Sequence, residues 1–156
     1  MLKVLIADDE EKICQLIIKL INWEEMGLKI AATASNGIEA LEQAKICKPE
    51  ILITDIRMPG IDGMELIRKV KEKLPDTEII IISGYRHFEY AQTAIRYGVR
   101  NYLLKPIKKE ELRDTLQKIA DIYREKNEQL NFEERVRLAL KNDAGKLRTS
   151  FISRMI

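Results

Sequence analysis

The sequence predicts an α/β fold, a doubly wound sheet of five parallel strands with five helices. Three observations carry this. Short apolar runs recur at near-regular spacing: KVLIA (3–7), KIAAT (29–33), ILIT (51–54), EIIIIS (78–83) and NYLLK (101–105). Most are apolar at successive positions, as strands covered on both faces must be. Helical patterns lie between them, and strict alternation of strand and helix leads to a parallel sheet with right-handed crossovers.

The helices are read from their stripes and their ends. Ile13, Leu16, Ile17, Leu20 and Ile21 form the first apolar stripe; Ile38, Leu41, Ala44 and Ile46 the second; Leu66, Ile67, Val70 and Leu74 the third. Asn36 with Glu39, and Asp62 with Glu65, match an N-cap followed three residues later by glutamate. Pro49 and Pro75 stand just past the helices they end. The fourth helix, about 87–97, carries Phe88, Ala91 and Ile95 on one side and Tyr90, Ala94 and Tyr97 on another, more apolar surface than an exposed helix needs.

The fifth helix begins near Lys108. Leu112, Leu116, Ile119, Tyr123, Lys126 and Leu130 step by four and three, a heptad seam that continues past the end of the expected domain. The residues before Tyr123 would face a core in any such domain, so only the later ones argue for a helix-mediated dimer. Past Leu130 the seam fails, and Asn131 with Glu134 reads as a new cap. The chain stops in SFISRMI, an amphipathic segment with no stop signal, which reads as a fragment of a longer protein, with a domain expected over 1–122 and a helical linker, or the start of a truncated following region, over 123–156.

Composition narrows the class. The 156 residues are 46% hydrophobic, ample for a core without disulfides. Cys14 and Cys47 stand in no C-x-x-C or histidine context and read as small hydrophobes in a reducing compartment. Three acids follow the first strand before any signal-peptide stretch is complete, and no window reaches the length of a membrane span, so a cytoplasmic protein is expected. The net charge of +2 is too small to argue for nucleic acid. His87, the single histidine, is explained by a helix start, and Trp23 by a cover over the end of the core.

In an open parallel sheet, ligands bind where the carboxyl ends of the strands converge. Those ends carry Asp8, Asp9 and Glu10 after the first strand, Asp55 after the third, Ser83 and Gly84 after the fourth, and Lys105 with Pro106 after the fifth. Each has a plain alternative: Asp9 as a helix cap, Asp55 and Ser83 as turn residues, Lys105 as a solvated charge. A single site accounts for all of them together. Crowded carboxylates demand a cation, and oxygen ligands without histidine or thiolate favour Mg²⁺. A lone carboxylate beside such an ion, a lysine and a hydroxyl suits phosphoryl transfer, with Asp55 as acceptor.

With LIADDE, DIRMPGIDG, IISGY and YLLKPI in this order and spacing, residues 1 to about 122 resemble the response-regulator receiver domain of bacterial two-component signalling. The resemblance implies a flavodoxin-like sheet of order 2-1-3-4-5 with a C-terminal helical extension. It implies Asp55 as phosphoacceptor, Mg²⁺ held by Asp9, Asp55 and the backbone carbonyl of Arg57, and Asp8 on a metal-bound water. Ser83 and Lys105 would bind phosphoryl oxygens, Gly84 would leave room for a donor, Tyr102 would be the aromatic switch, and the Lys105–Pro106 peptide would be cis. Arg57 and Tyr85 would flank the pocket and favour a long-lived phosphorylated state.

INWEEMG and SGYRHFEYAQTAIRYGVRNYLLKP are most similar to receivers joined to AraC-type helix-turn-helix transcription factors. A histidine kinase is then the implied partner, with a homodimer through the fourth-helix, fifth-strand, fifth-helix face and DNA contacted only by a region outside this chain. The expected protein is a switch with no turnover chemistry. Two other classes compete: a dehalogenase-like phosphatase, disfavoured because Arg57 stands where its second acid belongs, and a receiver-like interaction module that is never phosphorylated. A flavin site is disfavoured because ADDEEK would repel the phosphate.

Overall fold

The computed structural model describes residues 1–84 and 88–142; Tyr85, His87, the Phe88 side chain and the terminal SFISRMI lie outside the described residues. The elements are β1 (Leu2–Ala7), α1 (Glu11–Leu20), a short 3₁₀ turn (Glu24–Met26), β2 (Leu28–Ala34), α2 (Gly37–Cys47), β3 (Ile51–Thr54), α3 (Gly63–Lys73), β4 (Glu78–Ser83), α4 (Phe88–Arg96), β5 (Asn101–Leu104) and α5 (Lys109–Asn142). One parallel sheet of order β2-β1-β3-β4-β5 results, the order the family resemblance implied. The chain divides into two compact units, Met1–Ala120 and a second from Asp121 onward.

That order explains the burial of the strands. β3 and β4 are buried along their whole length and β1 over its last four residues, because helices cover both faces of the inner strands. The edge strands differ. β2 alternates, with Lys29, Ala31 and Thr33 exposed, and β5 is nowhere fully buried. The core joins Leu5, Leu52, Ile79 and Ile81 of the sheet to Leu66, Ile67 and Val70 of α3.

Two caps form as the sequence predicts. The Asn36 side chain accepts from the Glu39 N–H at 2.8 Å, and Asp62 from the Glu65 N–H at 2.9 Å. Trp23 is buried and its indole N–H donates to the Ile18 carbonyl at 3.0 Å.

Several stripes shift. In α1 the buried residues are Cys14 and Ile17, and Leu16 is 41% exposed. In α2 the buried side is Gly37, Ala40 and Ala44, leaving Ile38 and Ile46 outside at 53% and 75% exposure. Small residues face the sheet there because α2 also packs closely on α3 and on the loop after β3. On α4 the inward side is Tyr90, Ala94 and Tyr97, while Ile95 is 70% exposed.

The new cap expected at Asn131 is not formed. Helix α5 runs through it without a break, since no glycine or proline occurs from Lys109 to Asn142 and Glu, Arg, Leu and Ala favour continuation. Leu112, Leu116 and Ile119 are buried in the first unit. In the second, Leu130 is 61% exposed and the Lys126 ammonium lies 5.8 Å from the Tyr123 ring centre.

Candidate functional site

β1 and β3 are neighbours, and their helices leave in opposite directions, so a crevice opens where the two strands end. Asp8 follows β1 and Asp55 follows β3. The Asp55 N–H donates to the Ala7 carbonyl at 3.0 Å, which extends the pairing by one residue and brings the two acids together. Asp8, Asp9 and Asp55 each offer a carboxylate oxygen within 4.8 Å of the others'. Asp9 thus belongs to this group, and the residue preceding α1 is Glu10, which caps nothing with its side chain.

Lys105 enters from the end of β5, its N–H donating to the Ser83 carbonyl at 2.9 Å. The ammonium donates to Asp55 Oδ2 at 2.9 Å and to Asp8 Oδ2 at 3.2 Å. Both carboxylates are buried and the lysine is mostly covered, so these pairs sit in a medium of low polarity. The Lys105–Pro106 peptide is cis.

Each carboxylate is further held by backbone. Asp55 Oδ1 accepts from the Ile56 N–H at 2.6 Å, and Asp8 Oδ1 accepts from the Glu10 N–H at 2.9 Å. The Thr54 hydroxyl donates to the Asp55 carbonyl at 2.8 Å. Ser83 is fully buried and hydrogen-bonded to the Tyr102 hydroxyl, which pairs the two residues named as switch positions. Gly84 is exposed at the end of β4, and a Cβ there would meet no described atom. Arg57 is exposed in the loop after Asp55.

Burial pushes the Asp8 carboxyl above its ordinary value and the Asp55 charge adds to this, against the Glu10 N–H and Lys105. Burial works against the Lys105 ammonium, but Asp55 and Asp8 together outweigh it and hold its pKa above the usual lysine value. Burial likewise raises the phenol of Tyr102.

A stability effect follows from Asp8. Its pKa is raised in the folded state, so its contribution is fully present below the ordinary value of 3.8 and is lost as pH rises through the raised one. Without divalent cations, Asp8→Asn is expected to be more stable than the parent at neutral pH, and the difference should shrink on acidification. Urea midpoints in a chelator across that range check this; a variant less stable at neutral pH would contradict it.

Two residues that the sequence reading gave no role prove essential to the geometry. Gly63 and Gly37 are the first residues of α3 and α2, directly after the caps Asp62 and Asn36. A Cβ on Gly63 would fall closer than 3.0 Å to the Asp55 carbonyl oxygen and 2.8 Å from Ile56 Cα. One on Gly37 would meet the Ile61 carbonyl. The available signal was glycine at a first helical turn, where it costs helix stability and therefore needs a packing reason.

Among the described residues the donor set fits a hard divalent cation: three carboxylates and neither thiolate nor imidazole, with a lysine already neutralising part of the charge. Residues 4–117 match the model of the response regulator receiver domain. The chain belongs to the response-regulator receiver family.

This receiver is 40% identical over 139 residues to the transcriptional regulatory protein YesN of Bacillus subtilis, covering 85% of this chain and 38% of that protein. A response regulatory protein of Staphylococcus epidermidis is 40% identical over 74% of this chain and 45% of its own length. The chain therefore spans less than half the length of these curated relatives. Among solved structures, the receiver domain of AraT, a response regulator from Geobacillus stearothermophilus, superposes with a TM-score of 0.77 at 41% identity, over 81% of this chain and 98% of that one. A two-component regulator AraC from Clostridium phytofermentans gives 0.72 at 36% identity, over 78% and 94%. Among the described residues no helix is long and apolar enough to cross a membrane.

Proposed function

We propose that this receiver accepts a phosphoryl group on Asp55 from a histidine kinase, with Mg²⁺ held by Asp9, Asp55 and the Arg57 carbonyl and with Asp8 on a metal-bound water. The observation that carries this is the meeting of three carboxylates within 4.8 Å under a lysine that touches two of them. An Asp55 oxygen bonds to phosphorus as the bond to the donor's leaving group breaks, giving an acyl phosphate. When bound, Mg²⁺ supplies charge neutralisation for the phosphoryl oxygens. Lys105 exchanges a carboxylate partner for a phosphoryl oxygen, and Ser83 donates to another.

Ser83 is already bonded to Tyr102, so its turn toward the phosphoryl group releases that phenol. Tyr102 lies on β5 between α4 and α5, the face through which the phosphorylated domain dimerises. The α5 seam at Tyr123, Lys126 and Leu130 adds a second contact between copies. Similarity to regulators named AraC and AraT supports a DNA-binding output outside this chain. The protein acts in the cytoplasm as a switch rather than a turnover enzyme.

Incubation of the purified chain with a small phosphodonor and Mg²⁺ is expected to add one phosphate by intact mass, and Asp55→Asn should remain unmodified. Equal labelling of both would refute Asp55. A parent chain that takes up no phosphate would instead favour the unphosphorylated interaction module.

A further inference from the structure

The loop from Asp55 to Asp62 is held at two places by two helices. Its first part is fixed from α3 and the sheet. The Asp55 N–H bonds to Ala7, the Gly63 N–H donates to the Ile56 carbonyl at 2.6 Å, and Gly63 lies flat against the Asp55 carbonyl. Its second part rests on the first turn of α2. There the Gly37 N–H reaches the Pro59 carbonyl at 3.4 Å and its bare Cα faces the Ile61 carbonyl. The Ile38 side chain lies over Gly60, whose Cβ position is 3.1 Å from Ile38 Cδ1, although Ile38 is otherwise 53% exposed. Arg57 stands between these two supports.

We infer that Gly37 and Ile38 are positioning residues for the metal: the first turn of α2 sets where the Arg57 backbone sits, and so tunes Mg²⁺ affinity without governing the reactivity of Asp55. This rests on the reading of Asp55 and Arg57 above. The physical reason is the division of the supports. The bonds of Asp55 go to Ala7, Ile56 and Lys105, none of them on α2, whereas Pro59, Gly60 and Ile61, the residues that follow Arg57 and the buried Met58, rest on the first turn of α2.

The test is a split between affinity and maximal rate. Gly37→Ala should raise the Mg²⁺ dissociation constant, measured by calorimetry on the unphosphorylated chain, by about tenfold, as loss of an outer support of a metal ligand does. Its phosphorylation rate at saturating Mg²⁺ should stay within about twofold of the parent. Ile38→Ala, at an exposed site and hence expected to keep its urea midpoint, should weaken Mg²⁺ by about threefold, a smaller share of the same outer-support effect. It stands in should Gly37→Ala fail to fold. Parent-like Mg²⁺ affinity in Ile38→Ala, or in a folded Gly37→Ala, overturns the inference, as does a lost maximal rate at unchanged affinity. A parent chain that binds no Mg²⁺ or is not phosphorylated on Asp55 overturns the underlying reading instead.

Discussion

Gly63→Ala is expected to lower the melting temperature by about 6–12 °C, the shift that about 3 kcal/mol produces in a chain of this size. Alanine at a first helical position should help α3, by up to about 1 kcal/mol in intrinsic preference. The contact opposes it and wins. The added methyl would lie inside the van der Waals shell of the Asp55 carbonyl oxygen, 2.8 Å from Ile56 Cα and 3.0 Å from the Asp55 carbonyl carbon. Overpacking costs about 1–3 kcal/mol where side chains can yield. Here every neighbour is backbone, and that backbone is tied to β1 through the Asp55 N–H and to α3 through the Ile56 carbonyl. The variant should also be phosphorylated more slowly at temperatures where it is folded, since relief of the clash displaces Asp55 itself. Thermal melts followed by circular dichroism check the first part. A melting point equal to or above the parent's would show that α3 can slide at little cost.

Lys105→Ala is expected to cost about 2–3 kcal/mol at neutral pH in the absence of divalent cations. Removing one partner of a buried ion pair costs roughly 3–5 kcal/mol because the other charge is stranded. The Lys105 side chain is 20% exposed, which moderates the loss through water and counterions. The stranded groups are Asp8 and Asp55, already close enough to raise the Asp8 carboxyl, and without the ammonium that carboxyl should rise further. The raised pKa of Lys105 gives the sign from the other partner: its stabilisation is full below the ordinary value of 10.5 and is lost as pH rises through the higher folded one. Mg²⁺ should stabilise the variant more than the parent, because it then meets two carboxylates with no competing cation. Urea midpoints with and without Mg²⁺ measure both effects. Equal Mg²⁺ stabilisation in the two proteins would mean that Lys105 does not compete for the acids.

The elements of the sheet were legible because burial on two faces leaves a plain mark: ILIT and EIIIIS have no polar residue inside them, and both strands are buried throughout. The caps at Asn36 and Asp62 were legible because their chemistry is local, an oxygen and an N–H three residues apart. The stripe of α2 was misjudged because apolar spacing alone gives Ile38 and Ile46 the same weight as Ala40 and Ala44. The close packing of α2 on α3, on the sheet and on the loop after β3 selects the small side. Asn131 looked like a cap for a similar reason: a local motif was present, and the uninterrupted helix-forming residues on both sides of it outweighed it.

The strands, the direction of their connections and the acids, hydroxyl and lysine at the strand ends can be read from the chain alone. These follow from residue type and short-range spacing, which a single chain displays. Folding in three dimensions is what lets Lys105 bridge Asp8 and Asp55, residues 97 and 50 positions away, and pairs Ser83 with Tyr102. It alone decided that two glycines bear on the loop after β3 from two different helices. Such contacts join segments whose distance is set by how the sheet and helices pack, and no local pattern of residues records that distance.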